Sequence, residues 1–225
     1  MLYAVDLIAL VLAFGPAPPA VPSGTPPPVE VVRPAKKTLV VHAAPGSAAR
    51  VRVGPRTEYD EPIRYAVVKR RGRWLGVITP AVPNGRIGWV RASTVRRARF
   101  VRDHVEVDLS RRLLRLLVDE RVVLETKVAV GAADSPTPIG SFAITDKLPG
   151  SKLGSVYGCC VLVLSGHQPN PPRGWAARDY RLAIHGGDGR TIGRPISAGC
   201  VHVRAATLRF LMDRLPPGTP VTIHP

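Results

Sequence analysis

Val105-Glu106-Val107-Asp108-Leu109-Ser110 alternates apolar and polar side chains with period two, the pattern of a strand with one face in a core and one in water. Working outward, Leu113–Val118 and Val122–Val130 lie on either side of Asp119-Glu120, which predicts a hairpin. Phe142–Thr145, Val161–Leu164 and Leu182–Ile184 continue the β pattern, and Val221–Ile223 ends it. One helix is expected, because Leu208, Leu211, Met212 and Leu215 recur at i, i+3, i+4 and i+7. Pro216-Pro217-Gly218 stops it. The fold class is therefore mainly β, with residues 100–225 as one β-rich domain carrying a single C-terminal helix.

Upstream, residues 36–99 read as a second, smaller β module. Thr38–His42, Ile63–Lys69, Trp74–Ile78 and Gly88–Val90 are β-prone, and turns punctuate them at Ala44-Pro45-Gly46, Gly54-Pro55, Arg71-Gly72 and Pro83-Asn84-Gly85. Short strands at this spacing suggest a small barrel. Residues 1–35 read as an address: Leu7–Phe14 is apolar, and prolines follow densely up to Pro34. That order suits a secretory signal or short anchor followed by an extended spacer that packs no core, although Asp6 stands where a basic flank is usual. The expected location is the cell envelope, outside the cytoplasm, with membrane contact only through that N-terminal anchor.

With 45% hydrophobic residues in 225, the chain has enough apolar material for real cores, and three cysteines are too few to staple a mini-scaffold. The net charge of +16 is concentrated: residues 36–102 hold sixteen Lys and Arg against Glu58, Asp60 and Glu61. Arg50, Arg52, Lys69, Arg70, Arg71 and Arg73 suit an anionic partner, and for an exported chain that means wall polymers or acidic headgroups. Few aromatics interleave with these charges, so nucleic acid is not an expected partner.

Reactive side chains gather in two places. His185-Gly186-Gly187 ends the Leu182–Ile184 strand, and Ser197-Ala198-Gly199-Cys200-Val201-His202 stands just before the helix. A cysteine attacks as its thiolate and needs a base nearby; a histidine on an adjacent strand end supplies one. Glycines on both sides allow close backbone approach and free N–H groups for an oxyanion. Taken alone, the same residues also fit a buried small cysteine and a surface histidine. A zinc site from His185, Cys200 and His202 is disfavoured by its spacing, so no metal is expected. Tyr157–Leu164 reads as a strand, which would send the side chains of Cys159 and Cys160 to opposite faces.

Asp108-Leu109-Ser110, Val128-Ala129-Val130-Gly131, Thr137-Pro138-Ile139-Gly140-Ser141-Phe142, Ile184-His185-Gly186, Ser197-Ala198-Gly199-Cys200-Val201 and Gly218-Thr219-Pro220-Val221 occur in one order that resembles the L,D-transpeptidase catalytic domain, the YkuD-like family. Trp74-Leu75-Gly76-Val77, Pro83-Asn84-Gly85 and Gly88-Trp89-Val90 resemble the end of a bacterial SH3-like domain. The first resemblance implies that Cys200 forms a thioester with a peptidoglycan stem tetrapeptide, that His185 activates it, that the Gly186 carbonyl orients the imidazole, and that the Gly199 and Cys200 amides hold the oxyanion. An amine acceptor then resolves the thioester into a 3→3 crosslink. Tyr157, Trp175, Tyr180, Ser197, His202 and Arg204 are the expected stem-peptide contacts. The chain departs from the family at Ala198, where His is usual, and at His202, where Arg or Asn is common. The competing expectation is a wall-binding protein whose transpeptidase-like domain has lost activity.

Overall fold

The computed structural model describes residues 27–171 and 180–225, so the leader reading of residues 1–26 and the contact expected at Trp175 lie outside it. The first sheet holds β1 (Val29–Pro34), β2 (Leu39–His42), β3 (Ala49–Val53), β4 (Tyr65–Arg71), β5 (Trp74–Val77), β6 (Gly88–Arg91) and β7 (Val95–Val101). Their order is β3-β2-β6-β5-β4-β1-β7, all antiparallel. Leu39 and Val41 near one edge share a core cluster with Val95 at the other, together with Tyr65, Leu75, Val77 and Val90. A sheet whose two ends meet in one cluster has curled on itself.

β1 departs from the expected spacer. Residues 29–34 pair with β7 along their whole length and with β4 at Val31 and Val32, which are fully buried. Pro34 is tolerated because its only partner strand there is β7, at Val95; β4 no longer reaches it. The β-branched run Val29, Val31, Val32 outweighs the prolines around it.

The second sheet runs β10-β9-β8-β17-β12-β13-β14-β16. Its strands are β8 (Asp103–Asp108), β9 (Leu113–Val118), β10 (Arg121–Lys127), β12 (Gly140–Pro149), β13 (Cys160–His167), β14 (Arg181–His185), β16 (Val201–His202) and β17 (Pro220–His224), while β11 (Val130–Gly131) and β15 (Pro195–Ser197) form a separate parallel pair. The β9–β10 hairpin turns through Asp119 and Glu120, both at positive φ, 48° and 65°, as a two-residue primed turn requires. α1 (Ala205–Arg214) lays Leu208 and Leu211, with Leu215 just beyond, onto Leu162, Leu164, Leu182 and Ile184. Each such buried leucine contributes about 2 kcal/mol. Among the described residues no helix is long and apolar enough to cross a membrane.

Period-two alternation sorts the central strands into two faces. Leu162, Leu164, Leu182, Ile184 and Val201 face the helix, whereas Val161, Val163, Ala183 and Cys200 form a separate cluster on the opposite face. Cys159 and Cys160 differ from expectation: they are joined as a vicinal disulfide, leaving Cys200 as the free cysteine. The strand begins only at Cys160; Cys159 belongs to the turn after Gly158, at φ 72°, so strand alternation does not govern it.

Candidate active site

β14 and β16 run parallel, pairing Ile184 with Val201 and His185 with His202. Cys200, one residue before Val201, therefore lies on the same face as His185, and the two are diagonal neighbours across the pair. Both line a cleft of about 550 Å³ together with Ala132, Asp134, Ser135, Val156, Tyr157, Tyr180, Ile196, Ser197, Ala198 and His202.

The imidazole of His185 is buried, and its Nδ1 lies 2.6 Å from the Gly186 carbonyl oxygen. A carbonyl only accepts, so Nδ1 carries the proton and the Nε2 lone pair remains as the base. Tyr157 packs its ring edge-on to this imidazole at 4.8 Å, and His202 tilts against it at 4.4 Å. Burial, then the neighbouring His202, push the His185 pKa down to about 3, against a smaller opposing effect of the Gly186 bond. Burial lowers His202 as well. Close backbone contact fixes this arrangement: Gly186 donates its N–H to the Tyr157 carbonyl at 3.0 Å, and a Cβ on Gly158 would meet Gly186 Cα at 3.2 Å.

Cys200 is 3% exposed, and burial raises its thiol pKa; the Ala183 amide and Tyr180 oppose that shift. Tyr180 Oη stands 3.9 Å from Sγ. Burial and the nearby thiol raise the Tyr180 phenol, so it stays protonated. At rest the pair is thus a neutral thiol and a neutral imidazole.

The backbone before Cys200 is held from both sides. Ser197 Oγ donates to the Cys200 carbonyl at 2.6 Å and accepts the Gly199 N–H at 3.1 Å. Ser197 is therefore an internal strut of the turn, and the Gly199 amide is engaged there rather than turned to an oxyanion. Gly199 sits at φ 113°, and a Cβ would lie 2.0 Å from Gln168 Nε2, so glycine is required on both counts. The Gln168 amide donates to the carbonyls of Ser135, Pro136 and Ala198 at 3.0 to 3.2 Å, tying the residue 134–137 loop to the turn that carries the cysteine. Among the described residues no group of three or more His, Cys, Asp or Glu side chains is arranged to hold a metal ion.

Residues 102–223 match the family model of the L,D-transpeptidase catalytic domain. The chain belongs to the L,D-transpeptidase family. It is 30% identical over 122 residues to the YkuD protein of Bacillus licheniformis, an alignment covering 54% of this chain and 65% of that protein, so the chain spans just under two thirds of the length of that relative. Solved structures that resemble it include an L,D-transpeptidase from Mycobacterium smegmatis, with TM-score 0.46, 17% identity, and coverage of 88% of this chain and 100% of that one. Another is the catalytic domain of the E. faecium L,D-transpeptidase, with TM-score 0.40, 23% identity, and coverage of 54% and 96%.

The structure brings Cys200, His185, Tyr157, Tyr180, Ser197 and His202 to one cleft, with Gly186 and Gly199 behind them. Arg204 is not part of its wall: it lies exposed at the start of α1, because Val203 turns into the core between it and His202. Sequence reasoning missed Gln168, which follows a β-rich run and carries no motif, and it missed Tyr59. Tyr59 lies in the loop between β3 and β4 of the first sheet yet packs against the cluster that holds Cys200.

Proposed function

We propose that this L,D-transpeptidase is an active cysteine acyltransferase that takes a peptidoglycan stem tetrapeptide as donor and an amine as acceptor. The observation that carries this reading is a thiol and a tautomer-fixed imidazole on one sheet face, both open to one cleft. His185 Nε2 takes the proton as Cys200 Sγ attacks the donor carbonyl. The oxyanion is met by the Cys200 amide. The tetrahedral intermediate then collapses: the C–N bond breaks, the imidazolium returns the proton to the departing D-alanine amine, and a thioester remains. The amine of a second stem adds to that thioester, His185 removes its extra proton, and the C–S bond breaks to regenerate the thiol and leave an amide crosslink. Exposed Val156 and Ile196 on the cleft rim offer apolar surface to a stem peptide.

The first sheet is read as an SH3-like module, supported by its curled antiparallel order and single core. Its exposed Arg50, Arg52, Lys69, Arg71 and Arg73 suit anionic wall polymers, in keeping with a place in the cell envelope. A second reading, a wall-binding protein without turnover, is favoured by Ala198 and by the buried, raised thiol. Incubation with a disaccharide-tetrapeptide and mass analysis of the products separates the two. Release of D-alanine with a crosslinked dimer, lost in Cys200→Ala, supports the enzyme, and unchanged substrate supports the second reading.

A further inference from the structure

We infer that the first sheet is part of the catalytic machinery, with Tyr59 acting as a positioning residue for the Cys200–His185 pair; this rests on the acyltransferase reading above.

The Thr57–Glu61 loop leaves the first sheet and closes on itself, with Thr57 N–H donating to the Glu61 carbonyl at 2.8 Å and Asp60 N–H to the Thr57 carbonyl at 3.1 Å. Thr57 Oγ1 receives the Tyr59 and Glu61 amides at 3.3 and 3.2 Å and donates to Asp146 Oδ1 on β12. Glu58 pairs with Arg181, the first residue of β14. That guanidinium is buried and also donates to the Leu164 carbonyl and to Thr145 Oγ1. His167 is the register partner of Arg181 across β13 and β14, and it is held from the same side. Asn84 accepts the His167 N–H at 2.9 Å and donates to the His167 carbonyl at 2.6 Å. Two loops of the first sheet thus grip the end of the strand pair whose other end presents His185.

Between these anchors Tyr59 enters the cluster of Leu148, Val161, Val163, Ala183 and Cys200, alongside Tyr157 and Tyr180. Tyr157 touches the base and Tyr180 faces the sulfur. Tyr59 packs half-buried against that same cluster, so its ring is part of the packing that Tyr157 and Tyr180 share. Close-packed interiors have few discrete arrangements, so removing this ring frees Tyr157 and Tyr180 to move and releases the thiol from its buried seat. A side chain that merely joined two sheets would affect stability alone.

The test uses the full chain as Tyr59→Leu, Tyr59→Phe and Glu58→Gln, with two readouts at Cys200, the free thiol. The first is the single-turnover rate of acylation by a carbapenem, followed by intact mass. The second is the rate of alkylation by iodoacetamide in the native protein, which needs no acyl-transfer activity. Tyr59→Leu is expected to slow acylation at saturation at least tenfold while half-saturation stays within threefold, and to speed alkylation at least tenfold. Tyr59→Phe, which keeps the ring, restores both within twofold, and Glu58→Gln moves both in the direction of Tyr59→Leu by a smaller factor. Both rates unchanged in a folded Tyr59→Leu would overturn the inference. Should Tyr59→Leu not fold, Glu58→Gln decides, since that carboxylate is half exposed: unchanged rates overturn the inference, and slower acylation with faster alkylation supports it. Wild type that alkylates but never acylates would count against the acyltransferase reading, while the alkylation rates of the variants still decide the positioning role.

Discussion

Acylation of Cys200 is predicted to continue into acid solution, and His202→Asn is the perturbation that reports why. An ordinary histidine base fails below its pKa of 6.5, whereas His185 is pushed to about 3, chiefly by burial and next by His202. That shift corresponds to about 5 kcal/mol in favour of the neutral ring. At pH 4.5 an unshifted imidazole would be only about 1% neutral, while His185 would be almost wholly so, a difference on the order of a hundredfold in competent base. The assay is the single-turnover acylation rate under limiting carbapenem, from pH 3 to 8 in short pulses, read by intact mass. The acid limb of the wild type should lie near pH 3 to 4. In His202→Asn it should move upward, because one cause of the depression is gone, yet stay below 6.5, because burial remains. A wild-type limb between pH 6 and 7, or no movement in the variant, would show that burial and His202 do not hold the His185 ring neutral.

Folding stability should fall as pH drops below about 6.5, since the unfolded chain binds a proton at His185 that the folded chain refuses until about pH 3. Denaturant titrations should show a loss of up to about 1.4 kcal/mol per pH unit over that window from this group, absent in His185→Ala. Gly199→Ala should lower stability by about 2 kcal/mol or more, a Tm drop of roughly 4–8 °C, from its φ of 113° and its 2.0 Å collision with Gln168. In a Gly199→Ala, Gln168→Ala double variant the two losses should sum to less than their separate values, because the collision is gone; strict additivity would argue against it. Leu211→Ala should cost about 2–5 kcal/mol in urea unfolding, because Leu211 is fully buried against the central strands.

Local patterning made much of the second sheet legible. Val105 to Leu109 alternate, and the strand there buries Val105 and Val107; the 3.6-residue spacing of Leu208, Leu211 and Leu215 gave a helix that buries the first two, with Leu215 buried just past its end. Position and flanking glycines left His185 and Cys200 as a candidate pair beside a bland alternative, and the resemblance to the L,D-transpeptidase catalytic domain singled them out. The remainder depends on long-range pairing that no local pattern encodes. Residues 29–34 were hidden by surrounding prolines, and their strand character comes from pairing with β7, more than sixty residues onward. Gln168 has no periodicity to reveal that its amide meets three carbonyls from two distant segments. Tyr59 lies in a loop of the other sheet, and nothing local marks it as a neighbour of a cluster more than eighty residues onward. The vicinal disulfide was missed because a turn, rather than a strand, governs Cys159.

Whether Cys200 is the acylated nucleophile is decided by intact mass and peptide mapping of the protein after exposure to a carbapenem. One stoichiometric adduct is expected, carried by the peptide containing Cys200, and none on Cys200→Ala. An unmodified wild type, or an adduct that persists on Cys200→Ala, would rule out Cys200 as the acylated nucleophile.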